Sequence, residues 1–217
     1  MNTPLLVPKP LRVGVFGGSF DPPHNAHVAL ASIAIAALEL DVMHIIPTGQ
    51  AAYKNRRLSP AADRLAMVHL AFATLPAAQV DSRELHRAGP SYTIDTLQEL
   101  AAQYASRQPT PARFFLVMGA DQHAHFASWH RFSEIPQIAT LCIAQRDHLT
   151  MTSAKIAVNM QKTAAFEPLQ MPPMAVSATD IRQRIASQHD VSHLLNPAVA
   201  QYIAEHGLYS AAFANLH

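Results

Sequence analysis

Cysteine is almost absent from this sequence: Cys142 is the only one. A lone thiol excludes an intrachain disulfide and a multi-cysteine zinc knuckle, and it fits a reducing compartment. Charge is scarce as well, at 14% of residues, and balanced, with 16 Lys and Arg against 15 Asp and Glu for a formal net charge of +1. That balance gives no broad basic face for a nucleic-acid duplex or an anionic membrane surface, so a basic site has to be local. Long hydrophobic runs are missing too. The most apolar window, residues 28–38, is followed by Glu39 and Asp41, whereas a membrane span needs about 20 apolar residues. Residues 1–10 (MNTPLLVPKP) have no basic front end and are interrupted by prolines, unlike a signal peptide. These absences predict a cytoplasmic protein with no nucleic-acid or membrane partner; the oligomeric state, monomer or small homo-oligomer, is left open by the sequence.

What is present is a folded globule. The chain has 217 residues, 49% of them hydrophobic, which is the scale and composition of one domain. We expect that domain over residues 11–209, with 1–10 as an N-terminal extension and 210–217 as a tail. Short apolar runs rich in β-branched residues predict buried strands at 11–16, 42–46, 79–82, 113–118 and 138–144. Between them, helical spacing predicts helices over 24–40, 60–75, 92–106, 177–187 and 197–206, with short helical turns within 122–134. Asp21 is expected to cap the first helix, with Pro22 and Pro23 in its first turn. Residues 146–173 carry no readable pattern. Strands alternating with helices predict an α/β fold: a doubly wound parallel sheet with helices on both faces and a C-terminal helical segment. In such sheets ligands sit beyond the carboxyl ends of the strands. That brings the loops after Phe16, Ile46, Met118 and Ala144 around one crevice.

The first of these loops reads GGSFDPPHNAH over residues 17–27. A glycine pair after a buried strand lets the backbone turn sharply and approach a ligand. The helix beyond it offers unpaired N–H groups and a positive dipole end to a phosphate. His24 and His27, three apart, share a helix face and can donate to phosphate oxygens, best when charged. Taken singly, a Gly-Gly turn is an ordinary loop, and two such histidines are more often packing residues. The G-x-G-x-x-G dinucleotide fingerprint is not met, and no nearby Cys or carboxylate completes a zinc set. A second candidate anion cradle is residues 176–182 (VSATDIR). Ser177 and Asp180 there read equally as a helix-capping pair, while the hydroxyls, free N–H groups and Arg182 read as a phosphate site.

GGSFDPPHNAH resembles the signature of the nucleotidylyltransferase superfamily, whose second half is H-x-G-H. Here it is His24-Asn25-Ala26-His27, with Ala in place of Gly. Residues 176–182 resemble the I-S-[SA]-T-x-I-R motif of the same superfamily. Three further segments resemble the bacterial nicotinate mononucleotide adenylyltransferases: residues 83–97 (RELHRAGPSYTIDTL), Gly119 and Asp121 with Trp129 beyond, and the ending LLNP…GLY over 194–209. The matches cover most of residues 12–209 and skip about 147–172.

The resemblance implies a Rossmann-like fold and transfer of AMP from ATP to nicotinate mononucleotide, with loss of pyrophosphate. It implies His24, His27, Lys54 and Arg182 as the groups that stabilise charge on the phosphates. It implies that Gly17, Gly18, Ser19, Phe20, Gly119, Asp121, Ser177 and Thr179 bind ATP. For the acceptor it implies Thr93 and His130, through their backbone N–H groups, with Trp129 stacking on the pyridine ring and Arg146 near the phosphates. Mg2+ is expected to ride on the ATP phosphates, with no metal site built from side chains. His123, His125, His189 and His193 have no motif context and are read as surface or packing residues. The alternatives left open are a sister transferase using nicotinamide mononucleotide or pantetheine phosphate, a non-catalytic nucleotide sensor, and a histidine-rich metal binder. The nucleotide readings require residues 17–27 and 177–182 to open onto the same side of the molecule.

Overall fold

A computed structural model describes residues 9–49, 58–107, 111–145 and 166–210. Six parallel strands form one sheet, in the order β3-β2-β1-β4-β5-β6. They are β1 (Leu11–Gly18), β2 (Val42–Pro47), β3 (Ala78–Val80), β4 (Ala112–Gly119), β5 (Ala139–Gln145) and β6 (Phe166–Gln170). The helices are α1 (Asn25–Ala37), α2 (Ala61–Phe72), α3 (Thr93–Arg107), α4 (Ala120–Ala124), α5 (Ile135–Ile138), α6 (Ala178–Ala186) and α7 (Pro197–Glu205). Three short 3-10 turns cover Arg83–His86, Phe126–Ser128 and Phe132–Glu134.

Both faces of the sheet are covered, so its central strands are apolar at consecutive positions rather than at alternate ones. Phe115, Val117, Cys142 and Ala144 point to one side, where α1, α2, α6 and α7 bury Ala34, Met67, Ile181 and Val199. Phe114, Leu116, Leu141 and Ile143 point to the other, where α3 buries Ile94, Leu97 and Leu100. The chain winds outward from β1 in one direction and from β4 in the other. The reversal falls between these two central strands, which is where such sheets form a ligand crevice. Gly18 ends β1 and Gly119 ends β4.

Strand β6 falls in the stretch that carried no readable pattern, and two expectations need correction. Asp21 does not cap α1. The helix begins at Asn25 behind His24 as its N-cap, both prolines precede it, and Asp21 is buried in other bonds. The glycine pair does not make the turn. Gly17 and Gly18 remain within β1, and the left-handed residue is Phe20, at φ 45°.

Candidate functional site

The loop after β1 is held from below. Phe20 is almost fully buried, its ring edge-on to Phe16, Phe72 and His27 at centroid distances of 5.5, 5.8 and 5.1 Å. Left-handed backbone at a non-glycine costs about 1–2 kcal/mol, and the buried ring offsets it. Gly18 has a different task from turning. A Cβ there would lie 3.0–3.2 Å from three atoms of the Phe20 ring, so the strand end and the ring pack closely only with glycine. With its ring in the core, Phe20 has only its backbone to offer a nucleotide.

His24 and His27 meet at the start of α1. Their rings stack at 3.7 Å with 23° between planes. The His24 backbone N–H donates to His27 Nδ1 at 3.1 Å. A neutral His27 ring therefore carries its proton on Nε2, as a donor. His24 is buried, and burial pulls its pKa down from the usual 6.5 to about 4. Without a bound phosphate, desolvation thus holds His24 neutral. The start of α1 is also tied to the C-terminal part of the chain. Asn25 N–H donates to the Leu194 carbonyl at 3.0 Å, and Asn25 Nδ2 donates to the His193 carbonyl at 3.1 Å.

The second cradle arrives beside the first. Arg182 Nη1 donates to the Asp21 carbonyl at 2.8 Å, and Nη2 donates to Thr179 Oγ1 at 3.1 Å. Ser177 caps α6, its hydroxyl accepting from the Asp180 N–H at 3.1 Å. The capping reading of Ser177 therefore holds. Asp21 is joined there by Tyr209, whose hydroxyl donates to Oδ1 at 2.7 Å, and by the Ser59 N–H, which donates to Oδ2 at 3.3 Å. Burial and the neighbouring Asp21 both raise the Tyr209 pKa, so this hydroxyl stays a donor.

Across the switch point, Gly119 is the N-cap of α4, and a Cβ added there would meet nothing within 4 Å. Asp121 lies exposed in the first turn of that short helix. Trp129 is half-buried, with its ring 5.5 Å from Phe126. His130 follows, its ring 4.3 Å from that of Tyr92. Tyr92 immediately precedes Thr93, the first residue of α3. First-turn N–H groups have no partner within their own helix. Thr93, Trp129 and His130 are thus gathered at one place, on the α3 face of the sheet.

Much of the 83–97 segment serves internal bonds instead of a ligand. Arg83 Nη2 pairs with Asp81 Oδ2 at 2.7 Å, and Arg87 Nη2 with Glu99 Oε1 at 2.7 Å. Burial favours a neutral Asp81, but hydrogen bonds from His44 and Arg83 outweigh it and hold the carboxyl far below the usual range. His44 Nδ1 sits 3.2 Å from Asp81 Oδ2, and its Nε2 is 2.9 Å from the Tyr104 hydroxyl. Glu84 is buried, which raises its pKa, and it accepts from the Thr96 hydroxyl at 2.8 Å. Gly49 lies so close to it that a Cβ would fall 2.0 Å from the Glu84 carbonyl. Cys142 is buried and its thiol is pushed up to about 12, so it is no nucleophile.

Lys54 and Arg146 lie outside the described residues. Among the described residues there is no group of three or more His, Cys, Asp or Glu able to hold a metal ion. None of the described helices is long and apolar enough to cross a membrane. Sequence reasoning missed Asp21, Arg64 and Tyr209 as parts of the site. Arg64 did leave a signal, since it falls in register with the buried stripe Met67, Val68, Ala71 and Phe72 of α2. Charge on such a stripe demands partners.

A family profile described as cytidylyltransferase-like matches residues 15–184. The chain belongs to the cytidylyltransferase-like family. Within it, a protein of Albidiferax ferrireducens named "Probable nicotinate-nucleotide adenylyltransferase" is 50% identical over 201 residues, covering 93% of this chain and 99% of that protein. A Bordetella avium protein of the same name is 38% identical over 203 residues, with coverage of 93% and 99%. Among solved structures, the Plasmodium falciparum nicotinic acid mononucleotide adenylyltransferase complexed with NaAD superposes with a TM-score of 0.72, at 17% identity, over 92% of this chain and 97% of that one. At that identity the structural match speaks for the fold, which is the Rossmann-like doubly wound sheet.

Proposed function

We infer that this family member transfers AMP from ATP to nicotinate mononucleotide, giving nicotinate adenine dinucleotide and pyrophosphate. One observation supports the nucleotide half of the reading: Arg182 reaches the Asp21 carbonyl at 2.8 Å, so two segments distant in sequence that can serve as anion cradles lie side by side. The relatives' names supply the acceptor. An oxygen of the acceptor phosphate attacks the α-phosphorus of ATP in line, and the bond from that phosphorus to the departing pyrophosphate breaks. The acceptor phosphate is already an anion at neutral pH, so the step needs neither a general base nor a covalent enzyme intermediate. Catalysis is then positioning and charge stabilisation.

In this reading His24, His27 and Arg182 donate to the phosphates, with Lys54 joining them. The backbone of Gly17, Gly18, Ser19 and Phe20 and the Ser177–Thr179 helix start cradle the triphosphate. Gly119 and Asp121 take the nucleoside side of ATP. Thr93 and His130 offer N–H groups to the nicotinate carboxylate, Trp129 stacks on the ring, and Arg146 helps hold phosphate. Donors aimed at a carboxylate disfavour an amide, whose NH2 would face them. Mg2+ enters as part of the substrate, carried on the ATP phosphates. The reaction belongs in the cytoplasm.

Pyrophosphate release with ATP and a panel of acceptors tests the reading. Turnover is expected with nicotinate mononucleotide. No release with it, or faster release with nicotinamide mononucleotide or pantetheine phosphate, overturns the assignment. A Trp129→Ala variant is expected to raise the KM for nicotinate mononucleotide by about tenfold or more while the KM for ATP stays near its original value. Equal shifts in both constants refute the stacking role.

A further inference from the structure

Arg64 stands in the first turn of α2 with only 3% of its surface exposed. Its guanidinium donates to backbone carbonyls from three separate loops. Nε reaches Ser59 at 3.1 Å, and Nη1 reaches both Ser19 at 3.1 Å and Thr48 at 2.7 Å. Ser19 follows β1, Thr48 follows β2, and Ser59 precedes α2. One rigid planar fork thus ties three chain segments, a task that a flexible ammonium fits poorly.

The bond to Ser19 has the most consequence. In a trans peptide the N–H points opposite to the C=O. Drawing the Ser19 carbonyl toward Arg64 therefore turns the Phe20 N–H away from the core. Phe20 is the residue at φ 45°, a conformation that a non-glycine residue keeps only when its surroundings over-determine it. The Thr48 N–H adds a further hold by donating to the Gly18 carbonyl at 2.8 Å.

Ser59 is gripped on both sides. Its carbonyl accepts from Arg64, and its N–H donates to Asp21 Oδ2 at 3.3 Å. Asp21 is in turn fixed through Oδ1 by the Tyr209 hydroxyl at 2.7 Å, and its carbonyl accepts from Arg182 at 2.8 Å. We propose that Arg64 and the Tyr209–Asp21 pair form a buried bracket that positions residues 19–21 for the triphosphate of ATP. Arg64 and Tyr209 are positioning residues: they act through the backbone amides of the turn and touch no substrate. The inference rests on the transferase reading for the identity of the nucleotide. The bonds described run to the turn, Thr48, Ser59 and Arg182, whereas Thr93, Trp129 and His130 sit on the α3 face. The bracket therefore bears on ATP more than on the acceptor.

Arg64→Lys and Tyr209→Phe, each made in the full chain and checked for folding by circular dichroism, test this. Two readouts are needed: KM values for ATP and nicotinate mononucleotide, and the Kd of MgATP by calorimetric titration without acceptor. Arg64→Lys is expected to raise the ATP KM and Kd about tenfold, and Tyr209→Phe about threefold, with the acceptor KM within about twofold of the original. A merely structural role lowers the amount of active enzyme, hence kcat, and leaves both KM values and the Kd unmoved. A folded Arg64→Lys protein with the original ATP Kd overturns the proposal. If Arg64→Lys does not fold, Tyr209→Phe decides, and an unchanged ATP Kd there overturns it as well. The titration needs no turnover. An unaltered chain that binds ATP without releasing pyrophosphate sinks the transferase reading but leaves the bracket tested, whereas one that binds no ATP sinks both.

Discussion

His27 accepts a hydrogen bond on one ring nitrogen from the His24 backbone, which leaves the other as a donor without any need for charge. His27→Ala is expected to lower turnover by about 10²–10³-fold, the scale seen when a donor to developing charge is removed. The circular dichroism spectrum should remain that of the parent chain, and near-normal turnover removes the assigned role. His24 makes a prediction of a different kind. Its folded pKa of about 4 lies below the ordinary 6.5, so the unfolded chain binds the extra proton first. This group's contribution to stability is therefore complete above about pH 6.5 and is lost as pH falls toward 4, up to ~3 kcal/mol. Urea denaturation at pH 6.5 and 4.5 should show a smaller loss for His24→Gln than for the parent. Equal losses would place the titration elsewhere.

Among the elements, α6 depends on its cap. Ser177→Ala leaves the Asp180 N–H unmet and should cost about 1 kcal/mol, a fall in Tm of about 2–4 °C in a chain of this size. Scanning calorimetry checks it, and an unchanged Tm means the cap bond is replaced by water at no cost. The elements also show where a sequence can and cannot be read. Strands β1, β2, β4 and β5 stand out because burial on both faces leaves no polar alternation. Strand β6 does not. It is an edge strand with a proline at 168, and only Leu169 of its five residues is fully buried, so its pattern resembles a loop. The cap of α1 was misplaced by three residues because Asp-Pro-Pro imitates a capped helix, while the real cap is His24. His24, His27 and Arg182 could be read from local motifs. The bond that joins Asp21 to Tyr209 could not, although both residues lie in quoted motifs, because a contact between residues 188 apart has no local trace.

At the scale of the whole molecule, two apolar layers clasp one sheet, and each central strand feeds both. Leu141 is fully buried in the α3-side layer and pairs in register with Leu116 of β4. Leu141→Ala should cost about 2–5 kcal/mol, read as a lower midpoint in urea denaturation. A loss below ~1 kcal/mol would mean the layer closes over the gap. The same sheet sets the division of the site. The turn after β1 and the start of α6 belong with the α1 layer, whereas Thr93, Trp129 and His130 belong with the α3 layer. The bond from Tyr209 to Asp21 spans nearly the whole chain. During synthesis on the ribosome, the turn at residues 19–21 thus emerges long before Tyr209 and is completed only once Tyr209 has followed it.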